Sequence, residues 1–413
     1  MRRQAIASKT TGGAVLLFAS DEAEGPNDLY GYRPDDNFFY LSGWSEPGAA
    51  LLIMAGSTTA DNAYTEILFL PNHNPSQEKW TGPKLGPENF DAGKITGFDR
   101  VEVIDNLRAD LVHLLPTERV TIYTDVPSGD ETSNSTAPLA WLNRANSFPV
   151  GVSFRDVRPI LSFLRTFKDA REIERIRQAT DASMAAHFAA MHTVKAGVTE
   201  REISALMQYE WGKRGCERPA YAPIVGSGFN STVLHYSADS GTMQAGDLVV
   251  IDAAGEYSMY ASDITRTLPA SGKFTARQRE IYDIVLGAQQ AAAVAFLSGK
   301  SRLRRNQPDS LQDVAYNYIN SHGKDLHGEP LGKYFIHGLG HYVGLNVHDP
   351  GDYDIPLGPG AVFTLEPGIY IPEEKLGVRI EDILYVDQSG RLINLTEKLP
   401  HTADDVERAM AGK

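Results

Sequence analysis

Hydrophobic residues in the first third of the chain occur in short runs that polar and more helical segments separate. The runs predict strands over Ala14–Phe18, Ala49–Met54, Glu66–Leu70 and Val120–Thr124. A more helical stretch, Asp105–Leu115, precedes the last of them. Short strands that alternate with helical segments are typical of an α/β domain.

The pattern changes near Arg165–Lys168. A long amphipathic helix is predicted to begin at about Asp169, because apolar residues then recur at three- and four-residue spacing, at Ile173, Ile176, Met184, Phe188 and Met191. The polar stretch Asp125–Pro138 is interpreted as a surface loop rather than a linker, since Trp and Leu follow it closely. We therefore expect one domain over residues 1–166 and a second over residues 167–413.

Composition is that of an ordinary globular protein. The 413 residues are 42% hydrophobic and 22% charged, enough for a sizeable core and for two or more domains. A net charge of −14 argues against nucleic-acid and anionic-membrane partners. The single cysteine, Cys216, excludes an internal disulfide and is interpreted as a small buried residue rather than a nucleophile.

Nothing near the amino terminus has the pattern of an export signal. The charged start, Met1-Arg-Arg-Gln, is followed only by the apolar run Ala14–Ala19, shorter than the roughly 7–15 residues of a signal sequence. No stretch approaches the roughly 20 apolar residues of a membrane span. The expected location is the cytoplasm, without a membrane partner.

The first candidate chemistry is a pair of acids, Asp252 and Asp263, on either side of a predicted hairpin. If the turn centres on Tyr257-Ser258, the two residues are directly cross-strand, with Cβ atoms roughly 5 Å apart. Like charges in that position destabilise a sheet unless a cation neutralises them. Two solvated strand residues, or a slipped register, are the alternatives, but the apolar run Leu248–Ile251 favours a buried site.

Three more metal-ligand residues follow, His341, Glu366 and Glu381. Four carboxylates and one imidazole form a hard, oxygen-rich set that suits Mn²⁺-like ions better than a closed zinc site. Two such ions roughly 3.5–4 Å apart lower the pKa of a shared water and polarise a carbonyl, which is hydrolytic chemistry. His337 and His341 have zincin spacing, but the glycines between them disfavour a helix and no Glu follows His337.

Several segments resemble a known family in order and content. In the second half they are Ser262–Thr267, His337–His341, Val347–Asp349, Glu366–Tyr370 and Gly377–Asp382, and in the first half Tyr32–Pro47 and Trp80–Gly86. This order resembles the pita-bread metallopeptidases, most closely the aminopeptidase P family, over nearly the whole chain. The resemblance implies an α/β amino-terminal domain followed by an α+β, creatinase/aminopeptidase-like pita-bread domain.

The resemblance also implies roles for individual residues. The metal ligands would be Asp252, Asp263, His341, Glu366 and Glu381, holding two divalent ions per subunit, with Mn²⁺ preferred and Co²⁺ or Zn²⁺ as alternatives. The catalytic residues would be His235, His348, Glu366 and Arg379, and the substrate-binding residues His337, Tyr370 and Trp80. Trp80 would close the site of a neighbouring subunit in a homodimer or homotetramer. Asn37 stands where the family often has an acid, which puts amine recognition by this domain in question.

The implied activity is removal of the first residue from peptides with proline second. A metal-bound hydroxide would attack the carbonyl before proline, Glu366 would carry a proton to the leaving nitrogen, and His348 would hold the developing oxyanion. An Xaa-Pro dipeptidase (prolidase) with the same ligands is the alternative, and an inactive pita-bread binding module is a further one. The expected partners are proline-containing peptides.

Overall fold

The computed structural model describes residues 1–20, 29–55, 64–114, 120–125 and 152–412, so most of the predicted loop Asp125–Pro138 lies outside the described residues. The chain forms two compact units, Met1–Leu164 and Arg165–Lys413. Within the described ranges, no helix is both long and apolar enough to cross a membrane.

A six-stranded mixed sheet forms the centre of the first unit. Its strands are β1 (Ala14–Phe18), β2 (Ala50–Ala55), β3 (Tyr64–Leu70), β4 (Arg100–Val103), β5 (Thr121–Thr124) and β6 (Ser153–Asp156), in the order β4-β3-β2-β1-β5-β6. Its helices are Arg2–Lys9, Asp36–Ser42, Glu78–Thr81, Ala92–Thr96, Leu107–Leu114 and Arg158–Thr166, with a 3₁₀ turn at Ile104–Asn106. The predicted α/β pattern is confirmed, and the four predicted strands differ from the observed ones by at most two residues at an end.

Burial explains why these strands are continuous apolar runs instead of alternating ones. Strand β1 pairs antiparallel with β2 and parallel with β5, so it lies inside the sheet. Val15, Leu16 and Leu17 are all fully buried, which requires both faces of the strand to be covered.

The second unit is built from helices around several small sheets. Its helices are Ala170–Thr193, Glu200–Gly212, Ala276–Ala295, Leu311–Ser321 and Ala403–Met410, with 3₁₀ turns at Gly228–Thr232, Leu331–Tyr334 and Pro372–Glu374. The strands are β7 (Arg218–Pro219), β8 (Ile224–Ser227), β9 (Leu248–Asp252), β10 (Gly255–Tyr257), β11 (Tyr260–Ala261), β12 (Thr265–Pro269), β13 (Val362–Leu365), β14 (Gly368–Ile371), β15 (Leu376–Arg379), β16 (Asp382–Val386) and β17 (Leu392–Asn394).

The predicted long helix is confirmed as Ala170–Thr193. Asp169 is its N-cap and forms a capping box with Glu172, which satisfies backbone donors that the first turn leaves free. Ile176, Met184 and Met191 are buried, while Ile173 and Phe188 are half-buried.

The predicted hairpin is wrong: the turn lies one residue further along the chain, which shifts the cross-strand pairing by two residues. Tyr257 pairs with Tyr260, so the turn consists of Ser258 and Met259, both with positive φ, as in a type I′ turn. In the adjoining sheet Asp252 is consequently opposite Thr265 instead of Asp263. Asp263 precedes β12 and is not in a ladder position.

Thr265 brings the ends of separate segments together. It pairs with Asp252 on β9 on one side and forms a bridge with Glu381 on the other. The backbone N–H of Glu381 donates to the Thr265 carbonyl over 3.1 Å. Two acids that are far apart in sequence therefore flank one threonine.

Candidate active site

A cavity of about 540 Å³ in the second unit collects most of the predicted site residues. Nine of them line it: His235, Asp252, Asp263, His337, His341, His348, Glu366, Arg379 and Glu381. The Tyr370 hydroxyl is 2.9 Å from Nε2 of His337, directly behind the wall. Trp80 is in the first unit, on the short helix Glu78–Thr81, with 89% of its surface exposed.

Three of the predicted ligands already converge. One ligand atom each from Asp263, His341 and Glu381 lie within 4.8 Å of one another. His341 Nε2 is 3.3 Å from Asp263 Oδ2 and 3.3 Å from Glu366 Oε1. The Nδ1 atom of His341 is 3.1 Å from the Tyr342 carbonyl, which favours a proton on Nδ1 and directs Nε2 toward the two carboxylates.

The buried acids repel one another. Burial and the charge of Asp263 raise the pKa of Glu381 well above its ordinary value. Burial raises the pKa of Glu366 to about 7, and it raises the pKa of Asp252 despite the nearby Arg379. Although burial opposes it, hydrogen bonding to Asp263 and the charge of Glu366 raise the pKa of His341 to about 9.

This donor set fits divalent cations. Oε1 of Glu381 is buried without a hydrogen-bond partner in the described structure, and a buried carboxylate oxygen needs a donor or a metal. Crowded carboxylates beside one imidazole are also the ligands that hard divalent ions prefer. The chain thus presents a cluster whose charge a metal would balance.

Arg379 connects the acid cluster to the opposite wall. Its Nη2 donates to Asp252 Oδ2 over 2.7 Å, and its Nη1 donates to the Tyr370 hydroxyl over 2.8 Å. That hydroxyl in turn donates to His337 Nε2, while His337 Nδ1 is 2.8 Å from the Gly338 carbonyl. Burial and the charge of Arg379 lower the pKa of His337 to about 4, so this imidazole is neutral and can accept the bond.

His348 and His235 lie on the exposed side of the cavity. The rings of His348 and His341 are edge to face, with centroids 4.1 Å apart. Burial and the neighbouring His341 lower the pKa of His348. A neutral imidazole retains one N–H that can donate to an oxygen in the cavity.

Residues that sequence reasoning missed hold the acids in place. The Tyr221 hydroxyl donates to Asp252 Oδ1 over 2.6 Å, and Thr265 Oγ1 donates to Glu381 Oε2 over 2.7 Å. Arg266, fully buried, donates to the Glu381 carbonyl and to Asp382 Oδ1, each over 2.7 Å. Thr265 and Arg266 stand in a segment that carried the resemblance, so that motif was an available signal, whereas Tyr221 had none.

A buried ion cluster lies beside His348. Asp349 accepts from Arg165 Nη2 at 2.6 Å, and Lys168 Nζ is 3.0 Å from its other oxygen. Each of the three side chains is 3% exposed or less. Although burial opposes ionisation, Lys168 and Arg165 hold the pKa of Asp349 below its ordinary value.

The interpretation of Cys216 is confirmed. The residue is buried and has no disulfide partner, and burial raises the pKa of its thiol to about 12. A thiol that stays protonated is a poor nucleophile.

Comparison with known proteins agrees with both halves of the chain. The family model described as metallopeptidase family M24 matches residues 174–388, and that of the aminopeptidase P amino-terminal domain matches residues 1–123. The chain is 33% identical to Xaa-Pro aminopeptidase of Escherichia coli and 32% identical to that of Haemophilus influenzae, in each case over 99% of this chain and 96% of the relative.

Solved structures give the same result. Aminopeptidase P from Escherichia coli, in a low-pH form, has a TM-score of 0.86 and 30% identity over 100% of this chain and 97% of its own. Proline aminopeptidase P II from Yersinia pestis has a TM-score of 0.83 and 31% identity, over 100% and 98%. The predicted fold class, an amino-terminal α/β domain before a pita-bread catalytic domain, is confirmed. The chain belongs to metallopeptidase family M24 and carries the amino-terminal domain of aminopeptidase P.

Proposed function

We propose that this metallopeptidase is an Xaa-Pro aminopeptidase that holds two divalent metal ions, with Mn²⁺ the preferred species. The observation that carries the proposal is the convergence of the five predicted ligands and four further predicted residues on one cavity. The names of the similar proteins support the substrate class. When bound, the two ions would lower the pKa of a shared water and polarise the scissile carbonyl.

The ligand assignment follows the contacts. Asp263, His341 and Glu381 would together hold metal, since one ligand atom from each lies within 4.8 Å of the others. Asp252 accepts a hydrogen bond from Tyr221 on one carboxylate oxygen and from Arg379 on the other, which orients its carboxylate. Such support of ligands by surrounding hydrogen bonds is typical of metal sites.

His348 is proposed to donate to the carbonyl oxygen of the scissile bond as that oxygen gains negative charge. The lowered pKa of this imidazole fits a neutral donor. Glu366 is proposed to carry the proton from the attacking water to the leaving nitrogen, because its carboxylate lines the same cavity. The bond to proline is a tertiary amide whose nitrogen has no proton, so departure depends on this transfer.

The remaining lining suits the two residues that flank the bond. Ile224, Leu234 and Val347 give the cavity an apolar portion that fits a pyrrolidine ring. His235, exposed at the rim, is proposed to contact substrate, and Arg379 with Tyr370 to fix the orientation of His337.

The proposal extends to assembly. Trp80 is proposed to contact the active site of a neighbouring subunit in a homodimer or homotetramer, and its high exposure in this chain leaves it accessible to a second copy. Asn37 would leave any contact with the substrate amine uncharged.

A hydrolysis panel tests the function. The enzyme is stripped with a chelator, reloaded with Mn²⁺, Co²⁺ or Zn²⁺, and given Xaa-Pro, Xaa-Pro-Yaa, longer Xaa-Pro peptides and matched Xaa-Ala peptides. Release of the first residue from tripeptides and longer peptides is expected, with no turnover of the Xaa-Ala series. Cleavage of dipeptides alone would replace this proposal with a prolidase.

A further inference from the structure

A second concave surface adjoins the reaction cavity. It encloses about 630 Å³ and shares His337, Gly338 and Gly340 with the first cavity. A Cβ atom added to Gly338 would meet its nearest neighbour, Oε1 of Gln312, only at 3.9 Å. Gly338, in the segment between the two cavities, carries no side chain, and the space beside it is open.

Apolar residues and arginines line this groove. Leu303, Phe335, Ile336 and Tyr353 are the apolar members, and Ile336 is 61% exposed. Gln312 contributes to the lining and donates to the His337 carbonyl over 3.2 Å, which fixes the wall that separates the groove from the reaction cavity. A ligand would thus meet a preformed surface.

The charge of the groove comes from Arg304 and Arg305. Arg305 lies 3.6 Å from Asp313, so its charge is partly balanced. The exposed Arg304 lies over the ring of Tyr353, 4.7 Å from the centroid, and has no carboxylate partner among the described residues. In a chain with a net charge of −14, this is a local positive surface next to the active site.

Among the described residues that line the reaction cavity, Arg379 carries the only guanidinium, and it is already engaged. Its Nε donates to Thr265 Oγ1, its Nη1 to Tyr370, and its Nη2 to Asp252 and to the Leu234 carbonyl. A guanidinium has five N–H donors in a fixed geometry, so one is left and a two-bond grip on a substrate carboxylate is not available. Recognition of such a group needs a different cation.

We propose that the groove binds the peptide segment that follows proline, with Arg304, supported by Arg305, pairing with a carboxylate of that segment. The proposal rests on the aminopeptidase function proposed above. The positive charge determines which end of the peptide lies in the groove. It repels the ammonium group at the amino end and attracts the carboxylate at the other end. An exopeptidase that removes a single residue also needs open space on the side where the rest of the peptide, the leaving segment, lies.

The test compares neutral and charged substrates of one length. Xaa-Pro-Yaa-Zaa peptides are used with a free or an amidated carboxyl end, and with Glu or Gln at the third position. The free-acid and Glu forms are expected to have the higher kcat/KM, and Arg304→Met with Arg305→Met should reduce that preference by about three- to ten-fold, mainly through KM. The preference should also shrink in high salt, where exposed charges are screened.

Arg177→Met is the matched control, since Arg177 also lies over a tyrosine ring, that of Tyr385, at 6.0 Å, and lines neither cavity. It should behave as the unmodified enzyme does. Equal cleavage of charged and neutral forms, or an unchanged preference in the double variant, would overturn the groove proposal. Hydrolysis of a neutral Xaa-Pro-amide reports the peptidase function separately, because failure there removes the function itself. If amidation of the carboxyl end removes the higher kcat/KM, the terminal carboxylate is the group that the groove binds. If exchange of Glu for Gln at the third position removes it, that side-chain carboxylate is the group.

Discussion

Replacing Asp349 by Asn should strongly destabilise the second unit. The change preserves side-chain shape but leaves Arg165 and Lys168 buried with no anion between them. Removal of one partner from a buried ion pair typically costs about 3–5 kcal/mol, because the desolvated charge that remains is uncompensated. Both cations are almost fully inaccessible to water, so the upper part of that range is expected here.

A second acid in the chain gives a matched control. Glu210 also bridges two cations, with Lys213 Nζ at 2.8 Å and Arg214 Nη1 at 2.6 Å, but those cations are 43% and 38% exposed. Water can solvate them when the acid is neutralised, so Glu210→Gln should cost less than about 1 kcal/mol. The two substitutions remove the same kind of charge from the same kind of geometry, and they differ in burial.

Urea unfolding of both variants at pH 7, followed by fluorescence with the metal-loaded protein, measures the difference. The low pKa of Asp349 means that its stabilising effect is complete above the ordinary carboxyl pKa of about 3.9 and is lost as the pH falls through the lowered value. The difference in the free energy of unfolding between wild type and Asp349→Asn should consequently persist down to about pH 4 and disappear only below it. Equal, small decreases in the free energy of unfolding of Asp349→Asn and Glu210→Gln would refute the reasoning. So would a difference between wild type and Asp349→Asn that disappears near neutral pH.

Three further outcomes are expected. Asp252→Ala and His341→Ala should each abolish turnover and lower the metal content measured after dialysis, and near-normal activity in either would contradict the ligand assignment. His348→Ala should retain both metal equivalents but lose roughly 10²–10³ in kcat, the usual cost of removing one oxyanion donor; a raised KM with unchanged kcat would indicate a binding role alone. Gly340→Ala should lower the urea midpoint, because a Cβ there would collide with the Thr364 carbonyl oxygen, whereas Gly338→Ala, with its nearest neighbour at 3.9 Å, should not; similar midpoints would count against the close approach.

The strands of the first unit and the β10–β11 hairpin show which features local sequence patterns predict and which they do not. Apolar runs correctly predicted the strands of the first unit because their burial on both faces makes them continuous and conspicuous. The turn between β10 and β11 consists of Ser258 and Met259 in positive-φ conformations, where Asn and Gly are the usual residues, so the sequence carried no signal for its position. Asp252 and Asp263 nevertheless line the same cavity, because the chain leaves the ladder before β12 and returns Asp263 toward the site.

The contacts that orient the proposed ligands were beyond prediction for a different reason. From sequence, the resemblance implied a catalytic role for Arg379 but identified no partner for its side chain. In the fold its shortest hydrogen bond, 2.7 Å, is to Asp252, 127 residues earlier, and the same side chain also donates to Tyr370 and Thr265. Only the long-range pairing of β9 with β12 and of Thr265 with Glu381 creates that meeting point. Because the guanidinium is committed to the acid cluster before any substrate arrives, it can balance the charge of the site but not select a peptide by its carboxylate. Selection of that kind has to come from outside the cluster, where Arg304 is the cation without a carboxylate partner in the described part of the groove.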